Sequence, residues 1–122
     1  MLRRPSLPSV DPIEAERRLR EEPVPPLLVD VREVGEFRTV RAPGAILMPI
    51  STFLMRVGEL PPERPLLVIC HSGNRSASVT GYLIQSGRTD VTNVAGGMLA
   101  WERAGLPTRR GAVGPDEETV PR

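Results

Sequence analysis

LLVICHSGNRSASVTGYLIQSG, residues 66–87, carries three local instructions in a row. Leu66–Cys70 is an unbroken apolar run, the pattern of a strand buried on both faces. It ends in Cys70, the only cysteine of the chain. His71–Asn74 is a short polar loop with a single glycine, Gly73. From Arg75 to Gln85, Val79, Tyr82 and Leu83 recur at helical spacing, so a helix with those side chains inward is expected, and Ser86-Gly87 stops it.

The same alternation extends in both directions. Upstream, Leu27–Val31 (LLVDV) is a second nearly continuous apolar run, interrupted by Asp30 near its C-terminal end. Open α/β sheets place functional groups at that end of their strands. Before it, Asp11 can cap a helix with Pro12 at the first helical position and Glu14 three residues on, and Pro23 ends it. Arg17, Arg18 and Arg20 fall on the wet face of this helix. Glu33–Val40 reads as a short helix with Phe37 inward, Ala42–Ala45 as a turn, and Ile46–Met48 as a brief strand. Ser51 is placed to cap a helix carrying Phe53, Leu54 and Val57. Downstream, Val91–Val94 is a strand, Gly96-Gly97 a tight turn, and Met98–Arg103 a short helix containing Trp101. Strands alternating with helices predict one small α/β domain over residues 10–107 with a mainly parallel sheet. Residues 1–9, rich in Pro, Ser and Arg, are expected to be a flexible segment, and residues 108–122 a disordered tail.

Composition narrows the function classes. The chain has 122 residues and a formal net charge of +1, so no electrostatic case for nucleic-acid binding exists. The four aromatic residues do not interleave with basic ones as a base-stacking platform would. One cysteine cannot make an internal disulfide, and the adjacent Cys70-His71 pair is too little for a metal site. No stretch approaches the roughly 20 apolar residues of a membrane helix. Nor is there a signal-peptide pattern, so a soluble cytoplasmic protein is expected. All 16 basic residues are Arg, which reads as genomic codon bias.

The loop after Cys70 is where chemistry can sit. Residues 71–75 must curl between strand and helix, and successive N–H groups in such a curl converge into an anion-binding nest. The helix N-terminus adds unpaired N–H groups and the positive end of its dipole. A thiol there is expected to have a lowered pKa. Gly73 supplies the backbone angles the turn needs, Ser72 and Ser76 can donate hydrogen bonds, and Arg75 adds a planar cation. Cradle-loop cysteine phosphatases have five residues between Cys and Arg. Here there are four, His71, Ser72, Gly73 and Asn74, and the smaller cradle favours sulfur over phosphate chemistry.

Four stretches together resemble the single-domain rhodanese, or thiosulfate sulfurtransferase-like, family. They are LLVDVREVGEF at 27–37, APGAILMPI at 42–50, LLVICHSGNRSASVTGYLIQSG at 66–87 and VTNVAGGMLAWERAGLP at 91–107. The resemblance implies a rhodanese-like fold, with a central, mainly parallel five-stranded sheet and helices on both faces. It implies ping-pong transfer of a sulfane sulfur from a donor such as thiosulfate to cyanide, a small thiol or a protein thiol, through a Cys70 persulfide. It implies no metal or organic cofactor. It also implies that Asp30 and Arg32 brace the active loop. Asp30 is expected to pair with Arg75 or with loop amides, and Arg32 with a nearby acid such as Glu36. Many members have His-Ile-Pro-Gly-Ala where this chain has Arg41-Ala42-Pro43-Gly44-Ala45, and Arg41 reads as a packing or surface change.

Each sharp reading has a plain rival. Free cysteines are usually inert core residues; the polar loop with Gly73 and Arg75 turns the balance, and the family resemblance points to a functional thiol. His71 is expected to shape the rim and the choice of acceptor rather than act as a base. Trp101 and Met98 are expected to pack under the sheet. Two functional alternatives stand beside the transferase: a non-catalytic regulatory or binding module of the same fold, and a phosphatase or arsenate reductase of related fold.

Overall fold

The structure, a computed structural model, describes residues 7–120. Its frame is a five-stranded, all-parallel sheet in the order β1-β5-β4-β2-β3. The strands are β1 (Ser9–Val10), β2 (Leu27–Asp30), β3 (Ile46–Leu47), β4 (Leu66–Ile69) and β5 (Val91–Val94). The helices are α1 (Pro12–Glu21), α2 (Val34–Thr39), α3 (Phe53–Arg56), α4 (Asn74–Gln85) and α5 (Gly97–Arg103). Short 3₁₀ turns cover Ile50–Thr52, Val57–Glu59 and Pro115–Glu117.

Strand periodicity divides the core in two. Leu27, Val29, Leu66, Val68 and Val91 face a cluster with Phe53, Val79 and Leu83 from α3 and α4. Leu28, Leu67, Ile69 and Val94 face the opposite cluster, with Ala15 from α1, Phe37 from α2, and Met98 and Trp101 from α5. Continuous apolar runs are required because both faces are covered. Trp101 packs under the sheet as expected, with its indole N–H donating to the Pro107 carbonyl at 2.8 Å.

α1 begins as its sequence signals. The Asp11 carboxylate accepts from the Glu14 N–H at 2.8 Å, and Pro12 follows the cap. Its arginines form exposed pairs with Glu14, Glu16 and Glu21, which solvate a face more than they stabilise it. Among the described residues no helix is long and apolar enough to cross a membrane.

Register decides where function can gather. Leu27–Asp30 pairs in step with Leu66–Ile69, so the C-terminal ends of β2 and β4 lie side by side. The ladder continues past them, with the Val31 N–H donating to the Ile69 carbonyl at 3.0 Å.

Four local expectations differ from the structure. Tyr82 does not turn inward; it is 42% exposed and lines a groove with Ile50 and Leu54. Its place on α4 is at the rim of the apolar stripe, and Val79 and Leu83 already fill the interior. Ser51 caps no helix; its hydroxyl donates to the Glu33 carboxylate at 2.7 Å. The flexible segment expected over residues 1–9 has its first six residues outside the described ones. Ser9, however, is a strand residue paired with Asn93, and the Pro8 carbonyl accepts from the Asn93 N–H at 2.8 Å.

The largest difference is at the other end. The tail expected to be disordered from residue 108 is packed as far as Val120, with residues 121–122 outside the described ones. Arg41 holds it. This side chain is 1% exposed and pairs with the Glu117 carboxylate. It also donates to the carbonyls of Phe37, Gly111 and Ala112 at 3.2, 2.9 and 3.1 Å. Its guanidinium stacks 4.9 Å from the Phe37 ring centroid. Backbone bonds between Arg41 and Arg109 run in both directions at 2.8 and 2.9 Å. Val120 then enters the core cluster on the α3 side. Arg41 is therefore a packing residue whose partners lie some 70 residues away, beyond the reach of any local pattern.

The Arg41 guanidinium beside Glu117 holds the Glu117 carboxyl below the usual carboxylate range. Its contribution to stability is thus whole above the unfolded value of about 4.3 and is lost as pH falls toward the folded one. Glu117→Ala strands the Arg41 charge and is expected to cost about 3 kcal/mol at neutral pH. The neighbouring exposed Glu118→Ala is expected to cost less than about 0.5 kcal/mol. Urea denaturation of the two variants at pH 7 makes the comparison.

Candidate active site

Cys70 follows the last residue of β4, on the face that packs against α4, and is 1% exposed. The chain then turns through His71 and Ser72 to Gly73, the residue before α4, whose φ of +105° falls in the left-handed region. The turn wraps the sulfur in donors. The Gly73 N–H donates to Cys70 Sγ at 3.1 Å and the Ser76 hydroxyl at 3.2 Å. Burial pushes the Cys70 thiol up. The Ser76 hydroxyl and the N–H groups of Ser76, Gly73 and Ser72 outweigh it, and the net result is a pKa below the ordinary thiol value. The donors of the turn thus converge on the Cys70 sulfur itself.

A second element supports the loop from behind. The Cys70 and His71 carbonyls accept from the Met98 and Leu99 N–H groups, at 2.8 and 3.0 Å, in the first turn of α5. Those donors would otherwise be the unpaired N–H groups of a helix start. The approach is so close that a Cβ on Gly97 would lie 2.4 Å from the Cys70 carbonyl oxygen and 2.6 Å from that of His71. The residue also has a φ of +57°. Gly96-Gly97 is therefore part of the site as well as a turn. Sequence reasoning found the turn but missed its contact with the Cys70 loop. The double glycine was the available signal.

The predicted site residues separate into layers. Gly73 and Ser76 are buried against the sulfur, while His71, Ser72 and Asn74 are exposed at the rim. Arg75 is half-buried beside them. Asp30 and Arg32 are buried at the adjoining strand end, but their pairing differs from expectation. Asp30 binds neither Arg75 nor the loop amides; it takes the Arg32 N–H and guanidinium at 2.8 to 3.1 Å. Arg32 in turn donates to the Glu36 and Val40 carbonyls, at 3.3 and 2.7 Å, tying down α2. Arg75 instead pairs with the Glu36 carboxylate, at 2.7 and 2.8 Å. The reason is local: the Arg32 side chain folds back onto the carboxylate two residues earlier and saturates it. The contacts run from Asp30 through Arg32 to α2, and from Glu36 on α2 to Arg75 at the start of α4. Glu36 was read only as a partner for Arg32.

Among the described residues no three His, Cys, Asp or Glu side chains converge in a way that would hold a metal ion.

This arrangement has counterparts of known family. Residues 11–104 match the family described as Rhodanese-like domain, and the chain belongs to it. A protein named Sulfurtransferase from Allochromatium vinosum is 40% identical over 81 residues, covering 66% of this chain and 76% of that one. Thiosulfate sulfurtransferase GlpE of Pseudomonas savastanoi pv. phaseolicola is 33% identical over 96 residues, covering 79% and 88%. The crystal structure of a rhodanese-related protein from Thermoplasma volcanium superposes with a TM-score of 0.76 at 27% identity, covering 84% of this chain and 97% of that one.

Two substitutions test the geometry. Ser76→Ala removes a donor to the thiolate. It is expected to move the pH midpoint of Cys70 alkylation by iodoacetamide upward and to slow the reaction at pH 7 about tenfold. Gly97→Ala drives a methyl group into two backbone carbonyls, and is expected to destabilise the fold by about 2 kcal/mol or more. Gly44→Ala, where φ is +84° but nothing lies within 4 Å, is expected to cost less. Thermal unfolding compares the two glycine variants.

Proposed function

We propose that this protein is a sulfurtransferase that moves a sulfane sulfur through a persulfide on Cys70. The observation that carries the reading is the ring of donors around Cys70 Sγ, the Gly73 N–H and the Ser76 hydroxyl, with a thiol pKa below its ordinary value. A lowered thiol pKa raises the share of thiolate, the form that attacks sulfur. The names of the relatives, Sulfurtransferase and Thiosulfate sulfurtransferase, support the same class.

In the first half-reaction the Cys70 thiolate attacks the outer sulfur of a donor such as thiosulfate. A sulfur–sulfur bond forms to Cys70, the donor's own sulfur–sulfur bond breaks, and its electron pair leaves with sulfite. The anionic outer sulfur of the persulfide then needs donors, which the N–H groups of the loop would supply. In the second half-reaction an acceptor attacks that outer sulfur. Cyanide would leave as thiocyanate, and a small thiol or protein thiol would leave as its own persulfide. Either way the Cys70 thiolate is regenerated, and no net oxidation or cofactor is needed. Gly73 and Ser76 hold the reacting sulfur, and Ser72 contributes its N–H. His71 and Asn74 form the rim that meets donor and acceptor, with Arg75 as its cation. Asp30 and Arg32 act through the backbone they tie down.

The reduced protein, incubated with excess thiosulfate and freed of it, is expected to gain the mass of one sulfur atom. Cyanide is expected to remove it, and Cys70→Ser to show no gain. If no sulfane donor produces the adduct on the wild type, the transferase reading falls and a binding module of this fold replaces it.

A further inference from the structure

Arg75 is the cation nearest to the cradle in sequence, yet it donates nothing to the Cys70 sulfur. Its Nη1 and Nη2 donate to Oε1 and Oε2 of Glu36, at 2.7 and 2.8 Å, from an acid 39 residues away on α2. The guanidinium fork is thus filled by a carboxylate that binds both of its arms.

Glu36 is held for that task. The Glu33 N–H donates to its carboxylate at 3.2 Å, and its backbone carbonyl accepts from Arg32 at 3.3 Å. Glu33 is itself fixed by the Ser51 hydroxyl at 2.7 Å. The Arg75 guanidinium beside Glu36 lowers its carboxyl pKa to about 2, so it is a permanent anion at working pH. The ion pair is nevertheless reachable, with side chains 33% and 36% exposed. Arg75 also feels the sulfur electrostatically: Glu36 contributes most to raising its pKa, and the Cys70 thiolate adds to that.

A guanidinium fork fits an oxyanion of sulfur in the same two-armed way that it fits a carboxylate. One fork cannot hold both. We propose that Glu36 is a specificity-determining residue that competes with anionic sulfur donors for the Arg75 fork, so that the resting site discriminates against strongly charged oxyanions. The inference rests on the reading that such donors approach Cys70. An oxyanion that takes the Nη1–Nη2 edge displaces Glu36, and Glu36 recaptures that edge when the anionic product leaves. The acceptor then meets a rim whose charges are already paired.

The test uses sulfate, an unreactive oxyanion, and needs no turnover. Cys70 is alkylated with neutral iodoacetamide at constant ionic strength and rising sulfate, and the half-protecting concentration is read. Glu36→Gln is expected to lower it about three- to fivefold, the range that a part-exposed ion pair carries. Arg75→Gln is expected to raise it, and the double variant to match Arg75→Gln. Glu36→Asp keeps the charge but shortens its reach, and is expected to lie between wild type and Glu36→Gln. It carries the test if the Gln variant does not fold, which circular dichroism decides. With thiosulfate as donor, the Glu36→Gln gain should appear in KM more than in kcat. An unchanged half-protecting concentration in Glu36→Gln overturns the inference, as does a complete lack of protection in every variant. So does an equal gain in the Arg75→Gln background, since that would be through-space repulsion rather than competition. A wild type that protects with sulfate but never forms a persulfide would sink the transferase reading and leave only the competition between Glu36 and an oxyanion for Arg75.

Discussion

The in-step parallel pairing of β2 and β4 is the constraint on which the rest of the structure depends. Parallel strands share a direction, so every C-terminal end emerges on one edge of the sheet. Asp30, Cys70 and the Gly96-Gly97 turn are brought to that edge by three different strands. A one-residue slip of β4 would exchange its two faces, taking Cys70 out of the layer that packs against α4 and away from Ser76. In the observed register Leu66 and Val68 face one cluster and Leu67 and Ile69 the other. Core packing and thiol chemistry are therefore one requirement.

On this edge the backbone supplies most of the polar chemistry. The sulfur takes an N–H from Gly73 and a hydroxyl from Ser76, while the carbonyls of Cys70 and His71 are taken up by α5. The Gly73 N–H and the carbonyls of Cys70 and His71 are thereby paired, which leaves the loop little freedom to relax around the sulfur. Such preorganisation stabilises an anion without reorganisation at the moment of reaction. The close contact at Gly97 is the steric cost, since only a residue without a side chain admits this approach.

Arginine performs three separate tasks. Arg75 faces the rim, Arg32 locks the strand end through Asp30, and Arg41 pins the C-terminal segment through Glu117. All three pair with a carboxylate through more than one nitrogen, a geometry that a lysine ammonium does not reproduce. A buried pair is not a large net gain in stability, because desolvation offsets attraction. Its effect is to hold a particular arrangement: α2 against the sheet, the tail across β3, the loop beside α2.

The amino-acid sequence by itself determined the elements that depend on neighbours in the chain. Continuous apolar runs marked β2 and β4, Asp11-Pro12 marked the start of α1, and the short polar loop with Gly73 marked the turn that follows Cys70. Those signals are local because helices, buried strands and tight loops are written in residues within a few positions of one another. Tertiary structure alone decided the partners. Arg75 with Glu36, Arg41 with Glu117, and Gly97 against the Cys70 carbonyl join residues far apart in sequence. Nothing in an arginine's neighbours reveals which of 15 acids it will meet. That choice follows from strand order and from which carboxylates are already saturated. The tail was misread for the same reason. Its Gly, Pro and charged residues look like solvent-facing chain until Arg41, buried with an unneutralised charge, requires Glu117 to come to it.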